Sequence, residues 1–344
     1  MQLVIVTIND FTNYVNRLQN YALTCVLQQH GTVVTLDHRF ANSVKHKIKT
    51  TVLSIFHSCT ELLFCFARFR AFRLFNSYIK FIKRIPNSKK ECIFVLGSDQ
   101  IWHYQWFTKQ EILTLLGANV YGKKKLSYAA SFGISEVSEA FVPCFQTYLP
   151  TLSAISVRED RGAELVKKMT GLDATVVLDP TLMLDTNQWN QIFRGFVSDD
   201  DRYILTYFLG KPSDQQEKTI LEYANAHGCR IRRILDLRDR QTYKAGPQDF
   251  VELFSKAQYV FTDSYHACCF SILYHKQFTV YNRAGMEGKA NMNSRMETLF
   301  RLFDLDNVTM DNGVAPQIDY LKVDRLLAQH RAESQTWLNK ALEV

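Results

Sequence analysis

An alternation of short apolar runs with amphipathic stretches, sustained through both halves of the sequence, limits this chain to few architectures. Residues 3–8 are an apolar run of strand length, 17–29 have helical spacing and stop before Gly31, and 33–36 read as a second strand. Residues 92–96 are continuously apolar, as a strand covered on both faces must be, with Gly97-Ser98-Asp99 as the turn after it. Three further strands are expected at 126–130, 154–157 and 175–178, with a helix over 160–169 closed by Gly171. The second half repeats the rhythm. Strands at 203–209, 230–235, 259–261 and 278–281 alternate with helices at 214–227, 247–257 and 265–274, and a last helix spans 323–342.

Such alternation predicts an α/β protein with parallel sheets. At 344 residues the chain exceeds what one core usually organises, so two Rossmann-like domains facing a cleft are expected. The boundaries read as 1–183, 184–322 and a C-terminal helix, 323–344, packing across the junction. Eight scattered cysteines, with no CxxC and no metal-type spacing, read as reduced thiols of a cytosolic protein. The N-terminus lacks a basic leader region, and no run approaches the roughly 18 apolar residues that span a bilayer.

Charge is unevenly distributed. Residues 45–90 hold eleven basic side chains and one acid, Glu61, so this window carries +10 of a net +7 and the remainder is −3. Phe and Leu are interleaved with the bases from Leu62 to Ile82. That composition describes a basic amphipathic segment, and Arg73, Lys80, Lys83 and Arg84 are its candidate contacts with an anionic membrane surface. The plainer reading is a solvated helix whose Phe face packs on the core. Nucleic acid is not expected, because no reader motif accompanies the charge.

In a doubly wound sheet, chemistry gathers at the carboxyl ends of strands. There is no GxGxxG and no GxxxxGK[ST], so neither a dinucleotide site nor a P-loop is indicated. Thr262-Asp263-Ser264-Tyr265-His266 joins a strand to a helix, a junction that favours anions; Asp263 or Ser264 can cap it, with His266 in the first turn. Arg158 follows a strand and suits a carboxylate or phosphate, or else pairs with Glu159 or Asp160. Asp99 places a carboxylate at a strand end, where it can take a proton from a hydroxyl or merely cap its own turn. Trp102 and its aromatic neighbours suit stacking on a sugar ring, although a packed loop is the commoner outcome.

Taken in order, several stretches resemble the polysaccharide pyruvyl transferase family. They are Asn16-Arg17-Leu18-Gln19-Asn20-Tyr21-Ala22-Leu23, Gly97-Ser98-Asp99-Gln100-Ile101-Trp102, and Ser127-Tyr128-Ala129-Ala130-Ser131-Phe132-Gly133. Ser156-Val157-Arg158-Glu159, Leu178-Asp179-Pro180-Thr181, Thr262-Asp263-Ser264-Tyr265-His266 and Asn293-Ser294-Arg295 continue the series. The resemblance implies a GT-B-like fold and transfer of pyruvate from phosphoenolpyruvate to two hydroxyls of one sugar, with a cyclic ketal formed and phosphate released. It implies a lipid-linked or cell-surface glycan precursor as acceptor, no cofactor and no metal, and a place at the cytoplasmic face of the plasma membrane. By position it makes Arg158, His266 and Ser264 donor ligands, with Arg283 or Lys289 as a further cation. Asn16, Arg17, Gln19, Gln100 and Trp102 become acceptor residues, with His266 as acid and Asp99 as base. The rival readings are a GT-B glycosyltransferase using a nucleotide-sugar and a non-catalytic glycan-assembly protein at the membrane.

Overall fold

The computed structural model describes residues 1–37, 59–85, 92–120, 123–282 and 293–343. Two all-parallel sheets form its frame. The first contains β1 (Gln2–Val6), β2 (Thr32–Leu36), β3 (Phe81–Ile82), β4 (Cys92–Asp99), β5 (Lys124–Ala130), β6 (Ala154–Val157) and β7 (Thr175–Val176), in the order β3-β2-β1-β4-β5-β6-β7. The second contains β8 (Tyr203–Tyr207), β9 (Arg230–Ile234), β10 (Tyr259–Thr262), β11 (Gln277–Tyr281) and β12 (Thr309–Met310), in the order β12-β11-β10-β8-β9. The chain is therefore α/β with two Rossmann-like parallel-sheet domains, as the alternation requires.

The helices that concern the cleft are α1 (Tyr14–Gln28), α2 (Cys59–Phe75), α3 (Lys109–Leu115), α4 (Val142–Tyr148), α5 (Asp160–Thr170), α6 (Asp214–Ala226), α7 (Pro247–Lys256), α8 (Tyr265–Leu273), α9 (Asn293–Phe303) and α10 (Tyr320–Glu343). Short turns of helix at Pro180–Met183 and Arg240–Tyr243 complete the frame around it. The domains share apolar contacts: Tyr14 of α1 stacks on Phe250 of α7 at 5.1 Å and donates from its hydroxyl to Ala245 O at 2.6 Å. From the second sheet α10 runs back to the first domain, where Ser334 Oγ accepts from Leu178 N at 3.0 Å and Arg331 donates to Leu182 O and Leu184 O at 2.6 and 2.7 Å.

Two local expectations need correction. Gly97-Ser98-Asp99 continues β4 and forms no turn. A Cβ on Gly97 would lie 2.1 Å from Tyr128 O, and its φ is +133°, so glycine is what lets β4 and β5 stay paired to the strand end. The basic segment is also not one helix. It breaks after α2, and Lys80, Lys83 and Arg84 flank β3, an edge strand paired parallel to β2. Two apolar residues between lysines carry too little periodicity to announce a strand. Lys45, Lys47, Lys49, Lys89 and Lys90 lie outside the described residues.

Candidate functional site

Four strand ends bring charged side chains to one buried point. Arg158 follows β6 and is held there by its N–H on Ala130 O at 3.1 Å. Its Nη1 donates to Asp179 Oδ2 at 2.7 Å and its Nη2 to Asp99 Oδ1 at 3.2 Å. From the other domain, His266 Nε2 stands 3.3 Å from the same Asp179 oxygen, an ion-pair distance without hydrogen-bond alignment. The guanidinium of Arg158 lies 4.8 Å from the Tyr265 ring, and that of Arg295 lies 5.7 Å from the same ring. Asp99, Arg158, Asp179, His266 and Arg295 are all buried.

Local structure explains the convergence. Asp179 precedes Pro180 and caps a single helical turn, so Thr181 N and Oγ1 both donate to its Oδ1, at 2.9 and 2.7 Å. That leaves Oδ2 for Arg158 and His266. Asp99 closes β4 with φ +73°, and Asn16 Nδ2 donates to its Oδ2 at 2.5 Å. Glu159 Oε1 accepts from Ser131 Oγ, Phe132 N and Gly133 N at 3.0, 2.8 and 3.0 Å, which ties the Ser-Phe-Gly loop to the strand that presents Arg158. In the second domain Asp263 does not cap α8; it accepts from Leu209 N and Gly210 N at 2.7 and 2.8 Å. Ser264 is the N-cap residue but its side chain makes no cap bond, and its own N–H donates to Thr262 Oγ1 at 3.1 Å.

These contacts set the ionisation. Burial alone would raise the Asp179 carboxyl, yet His266 and Arg158 outweigh it and hold the group well below the usual carboxylate range. Asp99 behaves the same way: burial is opposed by Arg158, His266 and Arg295, and its pKa falls below normal. Burial would lower Arg158, but Asp179 and Asp99 more than reverse that. For Arg295, burial and the like charge of Arg158 outweigh the pull of Asp99 and Glu159 and bring it down to about 10. The arrangement is thus a buried cluster of guanidinium groups and carboxylates next to a helix amino end.

The other expected residues fall elsewhere. Arg17 is fully buried, donates to Ile8 O at 3.3 Å and lies 4.9 Å from the Phe11 ring, so it braces the loop after β1. Gln19 is also fully buried: its Nε2 donates to Thr7 Oγ1 at 3.1 Å and its Oε1 accepts from Ser98 Oγ at 2.5 Å. Trp102 presents no face to a sugar. It is fully buried, with Phe132 at 5.2 Å and Phe145 at 6.4 Å between ring centroids. Asp99, expected as an unhindered carboxylate, is buried and ion-paired, because Arg158 and Asn16 each claim one oxygen. Gln100 is buried against Gly133, where a Cβ would come within 1.8 Å of its Nε2. Arg283 and Lys289 lie outside the described residues. Sequence reasoning gave no role to Asp179 or Arg295. Asp179 carried a usable signal, an Asp-Pro-Thr helix start directly after an apolar run; Arg295 lies on α9, which is fastened to α5 where Thr298 and Arg301 both contact Asp160.

The outer face of α2 is a second unusual region. Ala71, Phe72 and Phe75 are buried, whereas Leu62, Leu63, Phe66, Phe69 and Leu74 are exposed, in a stripe at helical spacing. Arg70 and Arg73 are exposed on the same helix, and Lys80, Lys83 and Arg84 are exposed beside β3. No helix among the described residues is long and apolar enough to cross a membrane. Among the described residues no group of three His, Cys, Asp or Glu stands ready to hold a metal ion.

The fold is that of a two-domain α/β protein with two parallel sheets and a buried charged cluster to which both domains contribute. The chain belongs to the polysaccharide pyruvyl transferase family, whose model matches residues 18–284, so it is placed with enzymes that transfer pyruvate onto polysaccharide. No curated protein matches it significantly. Among solved structures it is similar to UDP-GlcNAc 2-epimerase from Neisseria meningitidis, at 11% identity and a TM-score of 0.46, covering 99% of both chains. It is also similar to UDP-N-acetylglucosamine 2-epimerase from Rickettsia bellii, at 7% identity and a TM-score of 0.47, covering 100% of this chain and 95% of that one. The glycotransferase of kitacinnamycin is similar at 9% identity and a TM-score of 0.42, covering 99% and 94%. These likenesses concern overall fold.

Proposed function

We propose that the chain transfers pyruvate from phosphoenolpyruvate to two hydroxyls of one sugar in a lipid-linked polysaccharide precursor, forming a cyclic ketal and releasing phosphate. The observation that carries this reading is that Arg158 and His266, from different domains, meet within 3.3 Å of one Asp179 oxygen. Phosphoenolpyruvate brings a carboxylate and a phosphate of about −1.5 to −2, and it needs cations and N–H groups from more than one direction. Arg158, Arg295, His266 and the amino end of α8 at Ser264 supply them. Arg283 and Lys289 remain candidates for a further cation.

In the proposed reaction, protonation of the methylene carbon leaves positive charge at C2, and one sugar hydroxyl bonds there. The C2–O bond to phosphate then breaks, and the second hydroxyl closes the ketal. Of the two hydroxyl protons displaced, one balances the proton gained by the new methyl group and the other departs with phosphate or solvent. His266 is the acid and Asp99 the base, with Asn16 and Gln100 beside the acceptor. No cofactor takes part. Arg17, Gln19 and Trp102 support the surrounding loops. The direct test is incubation of phosphoenolpyruvate with a panel of lipid-linked oligosaccharides, reading phosphate release and a pyruvyl mass gain.

The acceptor's lipid is met at the cytoplasmic face of the plasma membrane through α2. Exposed Leu63, Phe66 and Phe69 with Arg70 and Arg73 on the same helix, and Lys80, Lys83 and Arg84 exposed just after it in the chain, complement an anionic leaflet, apolar to acyl chains and basic to headgroups. Sedimentation with vesicles of phosphatidylglycerol and phosphatidylcholine tests this. Salt-sensitive binding is expected; no binding, or binding indifferent to neutralising Lys80, Lys83 and Arg84, would contradict it.

A further inference from the structure

Both terminal nitrogens of Arg158 are already occupied, Nη1 by Asp179 at 2.7 Å and Nη2 by Asp99 at 3.2 Å. Each of these nitrogens keeps a second N–H and Nε has no partner, so an anion that takes the Nε–Nη2 edge as a fork competes with Asp99 at Nη2 and leaves Asp179 on Nη1. The two carboxylates are unequal competitors. Asp179 has a fully buried side chain, the shorter contact, and a second oxygen pinned by Thr181 N and Oγ1. Asp99 has the longer contact and retains 7% side-chain exposure. Its other oxygen is held from the side by Asn16, so the carboxylate keeps an anchor when Arg158 lets go. Asp99 is therefore the group that yields.

We propose that Asp99 is a resident counter-ion which the donor displaces from Arg158, and that its release makes it the base for the acceptor hydroxyl, so that donor binding precedes a productive acceptor complex. This rests on the phosphoenolpyruvate reading above. While paired, Asp99 is a weak base: burial pushes its pKa up, but Arg158, then His266 and Arg295, hold it down. Losing the Arg158 contact removes the largest of those restraints. The carboxylate then takes the hydroxyl proton as the oxygen bonds to C2, and passes it on as phosphate departs. A site that kept Asp99 on Arg158 would oppose its own donor with a neighbouring negative charge; removing that charge has to improve donor binding even as it removes the base.

The test is calorimetric titration of phosphoenolpyruvate into the full chain, wild type against Asp99→Asn and Asp99→Gly. Asn and Gly both accept the left-handed φ at this position, so either variant keeps the backbone. The expected result is donor binding tightened on the order of tenfold in both variants, with kcat reduced at least roughly a hundredfold. Folded variants that bind the donor as wild type does, or more weakly, would overturn the inference and leave the donor reading standing. A wild-type chain that binds no phosphoenolpyruvate would overturn that reading, and this inference with it.

Discussion

The cleft and the outer face of α2 depart from ordinary burial in opposite directions. In the cleft, Arg158, Asp179, Asp99, His266 and Arg295 are charged or ionisable and buried; on α2, Leu63 and Phe66 are apolar and 68% and 70% exposed. A buried ion pair costs desolvation that its attraction recovers only with good geometry, so clustered buried charge is poorly explained by stability alone. An exposed apolar stripe gains nothing while it faces water. The comparison teaches that the two regions have different partners: a small, highly charged molecule fits the first, and an extended amphiphilic surface fits the second. α2 is tied to both domains, since Arg68 donates to Tyr14 Oη at 3.3 Å and Cys65 Sγ lies 3.7 Å from Tyr243 Oη of the second domain.

The comparison can be broken at either region, and the largest effect belongs to the cleft. His266→Ala and Arg158→Lys are expected to lower kcat/KM by at least roughly a thousandfold with the circular dichroism spectrum retained. Wild-type rates in either variant would detach the cluster from the chemistry. Asp179→Asn is expected to destabilise the fold by about 3 kcal/mol in urea unfolding, because it removes one partner from a buried pair. A change within about 0.5 kcal/mol would mean that Asp99 alone satisfies Arg158.

On α2 the pattern reverses. Leu63→Ser together with Phe66→Ser is expected to weaken sedimentation with anionic vesicles at least roughly tenfold, while unfolding shifts by less than about 0.5 kcal/mol. Marked destabilisation with unchanged vesicle binding would turn this face into a packing surface.

The smallest effect is the pH dependence of stability. Asp179 and Asp99 are held below the unfolded value of about 3.9. As pH falls, the unfolded chain takes up these protons first, so the stability they contribute is complete above about pH 4 and drains away below it. Wild type should therefore lose stability more steeply than Asp179→Asn as pH drops under that value. Parallel curves would show that the carboxyl is not held down.

The fold was legible where burial left a periodic trace. Continuous apolar runs placed β1, β4, β5, β8 and β11, and glycines after helical runs marked the ends of α5 and α6. β3 left no such trace, since Phe81 and Ile82 sit between lysines and pair only at the sheet edge. Gly97 looked like a turn because glycine usually signals one; the close approach of Tyr128 O is a tertiary fact that no local pattern carries. In the site, Arg158 and His266 were readable as groups following strands. Trp102 was readable as part of a packed loop but its partners Phe132 and Phe145 were not, because a run of aromatics after a strand does not say which side of the sheet it joins. Asp179 was given no role, since its charged partners are 21 and 87 residues away in sequence.

One measurement bears most directly on the account: mass spectrometry of lipid-linked oligosaccharides after incubation with the chain and phosphoenolpyruvate, alongside UDP- and GDP-sugars. The account predicts a pyruvyl gain that appears with phosphoenolpyruvate, equals the phosphate released, and vanishes in His266→Ala. A glycosyl gain from a nucleotide-sugar, with no pyruvyl gain from phosphoenolpyruvate, would contradict it.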